Sequence, residues 1–361
     1  SDDNYHGVPK SNKMGSAFLA IASSECELGL GVGEVADDEH AENQSSPVGY
    51  FFHAVWQKQP AIYRRTHQSS ATGTKNNSDP MVQVFNMKWD DVADLCHHCR
   101  HHHPSTGSSP PLFFQNGTAI TDPHTAYASN PHAAYLDGAS VIINHADFHH
   151  QIIAQLCGSL QQTFPHVYAN AYLTPPISHA VEAHADDRDV LVVQTLGMKK
   201  WKVYKKVPVE FPFDKEQVGK YGNEIDSSVF KGGLCFDDKE VILRPGDVLY
   251  LPRGYVHEAS TEDFNDDTFG HAPSFHTTVA IATHDWCLSV LLSESIRQTL
   301  NRVAHFRKAL PVGPCNEYEN SVSGGGGSSR GSSYLKRQLD EAMAVIQSKV
   351  TSSSLEQQLK A

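Results

Sequence analysis

The segment that decides the fold lies at residues 182–204 and has the sequence EAHADDRDVLVVQTLGMKKWKVY. It contains an apolar run of strand length at 190–193 and, after Gly197, a stretch in which polar and apolar side chains alternate. Both stretches belong to a longer series, from Tyr168 to Thr283, of short strands punctuated by Pro, Gly and Asp and without intervening helices. The sequence therefore predicts a mainly β, antiparallel fold of the jelly-roll kind, flanked by helices.

His184 and Asp186 are the first candidate metal ligands. On an extended backbone, residues two apart point to the same face, so these side chains can reach one point in space while Ala185 and Asp187 face away. An imidazole and a carboxylate supply two ligands of a facial triad and leave coordination positions open for a cosubstrate and dioxygen. Asp187 replaces Asp186 only if the strand slips by one residue, and that slip turns His184 away as well.

The third ligand is expected from a later strand that folds back beside the first. Residues 243–252 contain a strand, a Pro-Gly-Asp turn and a second strand, which lead to His257 at the mouth of the barrel. A lone His-x-Asp pair is common by chance, but the turn and the downstream histidine favour a triad of His184, Asp186 and His257. The same ligand types also describe a hydrolytic zinc site, so they do not by themselves select iron.

Lys199 is the residue that would discriminate between these two metals. In the alternating strand at 197–204, Lys199 shares one face with Trp201 and Val203, and a barrel interior that accepts those two draws Lys199 inward. A buried lysine needs an anion, which the distal carboxylate of 2-oxoglutarate would supply. The alternative, of equal weight from the pattern alone, is that the Lys199 ammonium extends to solvent.

Several motifs resemble, in the same order along the chain, those of one known family. They are Asn170–Pro176, His184–Asp187, Gln194, Gly197, Lys199, Trp201, Tyr204, Arg244–Asp247 followed by His257, and Ser274–Thr278. On these motifs, residues 48–312 resemble the JmjC-type ribosomal oxygenases, a cupin-like group that includes nucleolar protein histidyl hydroxylases and bacterial arginyl hydroxylases.

The resemblance implies a double-stranded β-helix core with Fe(II) on the His184, Asp186 and His257 triad, and with 2-oxoglutarate and O2 as cosubstrates. It also implies that a set of four residues binds the 2-oxoglutarate, with Lys199 on its distal carboxylate. The set is Lys199, Asn170, Tyr172 and Thr278. Taken without the resemblance, Asn170 and Tyr172 are ordinary residues of a barrel wall.

The implied activity is hydroxylation of a ribosomal-protein side chain, with histidine as the favoured target, in the nucleus or nucleolus; the cytoplasm remains a second expectation. An N-methyl-lysine demethylase shares the same iron residues, and a cupin-fold scaffold without activity is a third alternative that the intact triad and Lys199 disfavour.

Two residues depart from the family pattern. Ala185 stands where an aromatic residue is usual, and Arg188 where an apolar residue is common, so the substrate pocket is expected to differ.

The chain is expected to have three parts. Residues 1–47 lack periodicity and predict a loose arm with a short helix near 17–22, and residues 48–283 form the catalytic domain. Apolar residues at three- and four-residue steps after Thr283 predict a helical region, 284–361, with a Gly/Ser linker at 324–333 and a last helix at 334–350. The family resemblance implies that this region forms a homodimer. In the family a winged-helix domain follows, and because this chain stops after one helix, that domain is expected to be missing or truncated here.

Composition excludes some partners. Lys and Arg total 29 against 41 Asp and Glu, a formal charge of −12, which argues against a nucleic-acid-binding face and suits a basic protein partner. The longest apolar runs are too short to span a bilayer, so no membrane association is expected.

Seven scattered cysteines do not form a disulfide framework. Cys96 and Cys99, in a histidine-rich run that ends at His103, are alternative zinc ligands, but a solvated loop insertion is favoured.

Overall fold

The computed structural model divides into two compact units, residues 1–283 and 284–361. The division falls where the sequence predicts that strands give way to helices. The described residues are 14–31, 46–65, 79–100, 110–115, 117–120, 127, 130–179, 181–261, 273–308 and 330–360.

Short helices flank the strands of the first unit, and longer helices make up most of the second. They are α1 Ser16–Ala22, α2 Pro47–Tyr50 with a π-helical continuation Phe51–Val55, α3 Pro80–Phe85, α4 Trp89–Arg100, α5 Pro131–Leu136, α6 Gln151–Leu160, α7 Ser227–Lys231, α8 Leu288–Asn301, α9 Arg330–Lys349 and α10 Ser352–Lys360.

Twelve strands are found among the described residues, and all their pairings are antiparallel. They are β1 Glu25–Leu28, β2 Ala61–Arg64, β3 Leu112–Gln115, β4 Thr118–Ala119, β5 Ser140–Ile143, β6 Val167–Thr174, β7 Asp189–Leu196, β8 Lys199–Val203, β9 Val241–Leu243, β10 Val248–Leu251, β11 His257–Ser260 and β12 Ser274–Ile281.

The strands form two sheets that enclose the core. The larger has the order β1-β2-β10-β7-β12-β6-β5-β3-β4, and the smaller has the order β11-β8-β9. Apolar side chains of both sheets meet between them, among them Val192 and Leu249 from the larger and Trp201 and Leu243 from the smaller. Burying each such side chain stabilises the fold by about 1.5–3 kcal/mol. The predicted jelly-roll core with flanking helices is confirmed.

A buried carboxylate at the start of β7 forms hydrogen bonds with residues from other parts of the first unit. Asp189, at the start of β7, accepts hydrogen bonds from the Tyr250 hydroxyl at 2.6 Å, the Arg253 backbone N–H at 3.1 Å and the Thr283 hydroxyl at 3.1 Å. Burial raises its pKa, and these donors act in the opposite direction. Asp189 therefore fixes the loop between β10 and β11, from which His257 follows.

Part of the expected N-terminal arm is ordered against the core. Phe18 of α1 lies 5.0 Å from the Phe51 ring and 5.2 Å from the Phe164 ring, and β1 pairs with β2 along its whole length. The short helix predicted near 17–22 is present as α1, but residues 16–28 are not loose, because an apolar face of α1 and the edge of β2 provide partners that a sequence pattern does not show. Residues 1–13 and 32–45 lie outside the described residues.

Two other expectations are corrected. Helical turns interrupt the strand series between β8 and β9, at Asp214–Glu216 and α7, and a turn with left-handed backbone at Phe236 and Asp237 follows them. The cysteine-rich run is not a loop at its start, because α4 continues to Arg100 and buries Cys96 and Cys99 on one side. Burial raises the pKa of the Cys96 thiol to about 12, which disfavours the thiolate that a zinc site requires. Residues 101–103 of the run lie outside the described residues.

In the second unit, α8 packs against α9 and α10. The helix predicted at 334–350 is α9, which begins earlier, at Arg330, and a further helix, α10, follows it. Residues 324–329 of the expected Gly/Ser linker lie outside the described residues. No helix among the described residues of the chain is long and apolar enough to cross a membrane.

Candidate active site

The backbone of residues 184–186 runs beside the start of β11 and brings the three candidate metal ligands together. His184 and His257 exchange backbone hydrogen bonds, at 3.1 Å from the N–H of His184 and 2.9 Å from the N–H of His257. The Gly254 N–H donates to the Asp186 carbonyl at 3.0 Å. The two ligand-bearing segments are therefore held in register by the backbone, and His184 and Asp186 share one face as the alternation predicts.

A glycine allows a third segment to close on the other side of the ligand segment. The Ala185 N–H donates to the Val218 carbonyl at 3.0 Å, and Gly219 follows with a φ of +75°. A Cβ on Gly219 would lie 2.3 Å from the Ala183 carbonyl oxygen, which is too close for any other residue. Ala185 itself is buried against Val218 and its neighbours, away from the metal ligands.

The three side chains converge with their metal-binding atoms facing one another. His184 Nε2 lies 3.9 Å from Asp186 Oδ1, and His257 Nε2 lies 3.8 Å from Asp186 Oδ2. Each imidazole donates its Nδ1–H to a backbone carbonyl, that of Glu182 at 2.7 Å and that of Tyr255 at 3.0 Å. These hydrogen bonds fix the tautomer and leave both Nε2 atoms free to bind a metal ion.

The charges of the triad suit a divalent cation. Burial lowers the pKa of His184 to about 3 and also lowers the pKa of His257, so both imidazoles are neutral at pH 7. Burial alone would raise the pKa of Asp186, but the Lys220 ammonium and the two histidines outweigh it and hold that pKa below its usual range. Two neutral imidazoles and one carboxylate are the donor set of non-haem Fe(II) oxygenases. No second group of three candidate ligands occurs among the described residues.

Lys199 lies inside the barrel. It is 2% exposed, and its Nζ donates to the Thr174 hydroxyl at 2.8 Å. No ion pair with a carboxylate of the described residues accompanies this hydrogen bond, and burial lowers the pKa of Lys199 to about 7. The alternative in which the ammonium extends to solvent does not occur. The site thus contains a buried amine that a bound carboxylate would hold in its charged form.

One pocket joins Lys199 to the metal ligands. Its cavity volume is about 50 Å³, and it opens to solvent at one side. Its walls are formed by Tyr172, Val181, His184, Asp186, Val190, Val192, Lys199, Trp201, His257, Glu258, Ala259, His276 and Thr278. Of the predicted cosubstrate residues, Tyr172 and Thr278 therefore line the pocket, whereas Asn170 does not. Asn170 Oδ1 accepts from the His145 N–H at 3.1 Å, and Asn170 lies opposite Thr278 in the sheet.

Lys220 is the functional residue that the sequence did not reveal. It follows Gly219, and its Nζ donates to Asp186 Oδ1 and, at 3.2 Å, to Gln217 Oε1. It lies in an irregular loop without periodicity, so no pattern predicted that it would reach a ligand 34 residues earlier in the chain. The arrangement places a cation beside the metal-binding carboxylate.

Arg188, one of the two departures from the family pattern, lies beside the ligand strand. Its Nε donates to Asp187 Oδ1 at 2.6 Å, and its guanidinium lies 5.7 Å from the centre of the Tyr168 ring. Asp187 is fully buried and faces away from the triad, as the alternation predicts. Neither Ala185 nor Arg188 belongs to the pocket wall, so the expected change of the pocket is not found at these two positions.

Comparison with known proteins identifies the domain. Residues 141–282 match the JmjC domain family. The chain is similar to the bifunctional lysine-specific demethylase and histidyl-hydroxylase NO66 of Drosophila persimilis, with 31% identity over 184 positions. This alignment covers 50% of this chain and 24% of that protein. The NO66 of Drosophila melanogaster is 29% identical over 231 positions, 62% of this chain and 33% of the relative. The chain thus spans about a quarter to a third of the relatives' length.

Among solved structures, the chain resembles the Escherichia coli ribosomal oxygenase YcfD in complex with cobalt and 2-oxoglutarate. The two are 17% identical with a TM-score of 0.45, over 81% of this chain and 65% of YcfD. The family match is confined to residues 141–282, and the similarity to the NO66 relatives extends over about half of the chain.

Proposed function

We propose that the chain is an Fe(II)- and 2-oxoglutarate-dependent oxygenase that hydroxylates a side chain, most favourably histidine, of a ribosomal protein. The observation that carries the proposal is the placement of Lys199 in the same pocket as His184, Asp186 and His257. A hydrolytic zinc site has use for the three ligands but not for a buried amine without a carboxylate partner. An oxygenase that binds a dicarboxylate has use for both.

Each residue of the pocket has a defined part in this proposal. His184, Asp186 and His257 hold the metal ion on one side and leave its other positions open towards the pocket. Lys199 neutralises the distal carboxylate of 2-oxoglutarate, while apolar walls that include Trp201 exclude water. Bound iron and 2-oxoglutarate together supply the oxidising chemistry, in which dioxygen is reduced and the cosubstrate leaves as succinate and carbon dioxide. The protein supplies binding and orientation.

A ribosomal-protein target is supported by the resemblance to ribosomal oxygenases and by charge. Ribosomal proteins are basic as a class, and the net charge of this chain is −12. The NO66 relatives carry both histidyl hydroxylase and lysine-specific demethylase in their name, so N-methyl lysine is the second candidate substrate. The same metal and cosubstrate residues would serve either reaction. A nuclear or nucleolar location is part of the proposal and rests on the resemblance.

The test is succinate formation by protein that is loaded anaerobically with Fe(II) and then supplied with dioxygen and 2-oxoglutarate. Peptides from ribosomal proteins that contain histidine or arginine are offered in parallel with N-methyl-lysine peptides. A hydroxylase yields peptide-stimulated succinate and a product heavier by one oxygen atom. A demethylase yields formaldehyde and a product lighter by a methylene unit.

Three variants serve as controls. His184→Ala removes a metal ligand and Lys199→Met removes the cosubstrate anchor, so both should abolish turnover. His132→Phe, on α5 and away from the pocket, should leave it unchanged. Wild-type protein that binds ribosomal proteins without any turnover supports the scaffold alternative. If the protein binds metal but Lys199→Met does not change 2-oxoglutarate binding, the result favours a hydrolytic zinc site.

We also propose that the second unit forms a homodimer. Ser295 is the one buried side chain among its described residues, whereas Leu288, Leu292, Leu339 and Met343 are exposed. Helices with an uncovered apolar face need a partner surface, and a second copy of the same helices is the partner that the family resemblance implies. Sedimentation should show a dimer for the wild type and a shift to monomer for Leu339→Glu, while Glu341→Gln on the same helix stays dimeric.

A further inference from the structure

His276 lies in the pocket but has no part in the metal site. It is on β12, where it lies opposite Tyr172 of β6, and it is 2% exposed. It lines the same pocket as Lys199, close enough for the charge of Lys199 to affect its pKa.

Neighbouring rings fix the orientation of the His276 imidazole. It stacks on the Tyr172 ring, with centroids 4.8 Å apart and an interplanar angle of 5°, and meets the Trp201 ring edge-on at 5.6 Å. Burial, and after it the Lys199 ammonium, lower the pKa of His276 well below its usual range. The ring is therefore neutral, with one nitrogen that donates a hydrogen bond and one that accepts.

The hydrogen-bonding capacity of this ring is not used within the protein. Nδ1 is fully buried without a partner, and Nε2 forms no hydrogen bond with any described residue, although it is not enclosed as Nδ1 is. An apolar ring would pack equally well against Tyr172 without leaving a polar atom unpaired. Since a neutral imidazole must carry its hydrogen on one nitrogen, Nε2–H towards the pocket is the form that can find an acceptor.

We propose that His276 is a second anchor for the distal carboxylate of 2-oxoglutarate, to which Nε2–H donates a hydrogen bond beside the ion pair from Lys199. This inference rests on the proposed function. A carboxylate has two oxygens with about four acceptor positions, so one ammonium does not satisfy it. Lys199 supplies the charge and the clamped imidazole supplies direction, which together select a carboxylate over a neutral group.

The test compares the binding of two ligands to anaerobic, Mn(II)-loaded protein by calorimetry. One ligand is 2-oxoglutarate, and the other is 2-oxopentanoate, which has the same chain length but lacks the distal carboxylate. His276→Phe keeps the stacking ring and removes the donor, so it should weaken 2-oxoglutarate binding about tenfold. Binding of 2-oxopentanoate should be unchanged. His276→Gln, which restores an N–H donor, should recover part of the affinity for 2-oxoglutarate.

Two outcomes overturn the inference: unchanged 2-oxoglutarate affinity in His276→Phe, or an equal loss of affinity for both ligands, which indicates a packing role. If His276→Phe does not fold, as judged by circular dichroism, His276→Gln is compared with His276→Leu. This pair again contrasts a side chain that has an N–H donor with one that has none. Lys199→Met is measured alongside. If it too leaves the preference for 2-oxoglutarate intact, the proposed function fails with the inference; if it abolishes the preference while His276→Phe does not, only the inference fails.

Discussion

The two ends of the pocket differ in how far the protein satisfies its own polar groups. At the metal end, each histidine has its Nδ1 bound to a backbone carbonyl, and Asp186 has Lys220 beside it. At the other end, the Lys199 ammonium has a hydroxyl but no carboxylate among the described residues, and His276 Nε2 forms no hydrogen bond with any of them. One end is complete in itself, and the other is complete only with an anion.

This difference separates preorganisation from recognition. The metal end fixes the positions of three ligands before an ion binds, which reduces the reorganisation that binding requires. The Lys199 end keeps a buried charge that destabilises the free protein and that a ligand of opposite charge relieves. Substitutions at the metal end should therefore change metal binding, and substitutions at the Lys199 end should change cosubstrate binding and stability. The four predictions below are ordered by the size of the expected effect.

The largest effect is expected at the metal end from Asp186→Ala. Removal of the one carboxylate ligand should weaken Mn(II) binding by more than the roughly 100-fold that the loss of a supporting residue causes. Calorimetric titration of the metal-free protein measures the loss. The matched control is Glu182→Gln, because this side chain is 73% exposed while its backbone carbonyl still holds His184. Equal affinity in Asp186→Ala and Glu182→Gln would show that the triad is not the metal site.

At the other end, Lys199→Met should weaken 2-oxoglutarate binding about 30- to 100-fold, because the bound carboxylate would lose its buried counter-ion. Affinity for Mn(II) should not change, since Lys199 does not contact the triad through any hydrogen bond or ion pair of the described residues. Lys202→Met, a partly exposed lysine of the same strand that faces outward, is the control. A parallel loss of metal and cosubstrate affinity contradicts the separation of the two ends.

The same substitution should stabilise the free protein in a pH-dependent way. The pKa of Lys199 falls from 10.5 in its ordinary state to about 7 in the fold, so the unfolded chain binds more protons between these two values. Stability of the wild type therefore rises with pH across this window. Lys199→Met should be more stable by about 2 kcal/mol below pH 7, and the difference should decline towards pH 10.

Urea unfolding of metal-free protein at several pH values between 6 and 9.5 measures this trend. A difference between the two proteins that does not vary with pH would mean that Lys199 affects stability through packing alone. Saturating 2-oxoglutarate with Mn(II) should reverse the order, because the wild type then gains the binding free energy that the variant lacks.

The extent to which the sequence predicted this site follows the regularity of the backbone. His184, Asp186 and Lys199 lie on extended segments, where a period of two residues assigns each side chain to a face, and the structure places all three on the predicted faces. The Pro-Gly-Asp sequence at 245–247 signalled the turn between β9 and β10, and the loop that follows β10 brings His257 to the site.

Residues outside regular strands were beyond the reach of that argument. Lys220 lies in a loop whose path depends on the close approach of Gly219 to the ligand segment. The order of α1 depends on aromatic partners far along the chain, such as Phe164. Cys96 was assigned to a loop because the histidines around it hid the helical spacing of the two buried cysteines. In each instance a tertiary contact, and not a local pattern, decides the structure.

The smallest effect is expected from Lys220→Met. Without metal, the variant should lose about 1 kcal/mol of stability, because Asp186 loses the cation beside it while both groups remain partly exposed. The control is Lys215→Met, a neighbouring loop lysine that is 80% exposed and pairs with Asp214. Thermal melts of both variants and of the wild type, with and without Mn(II), measure the effect.

The response to Mn(II) decides what Lys220 contributes. If the bound ion takes over the positive charge beside Asp186, Mn(II) should raise the melting temperature more in Lys220→Met than in the wild type, and the two should then have nearly equal stability. If the increase is the same in both, Lys220 remains paired with Asp186 beside the ion, and the carboxylate is shared between two cations. In the first outcome, Lys220 neutralises Asp186 only until the metal ion binds and replaces it. The metal end would then also depend on its ligand for charge compensation, as the Lys199 end does.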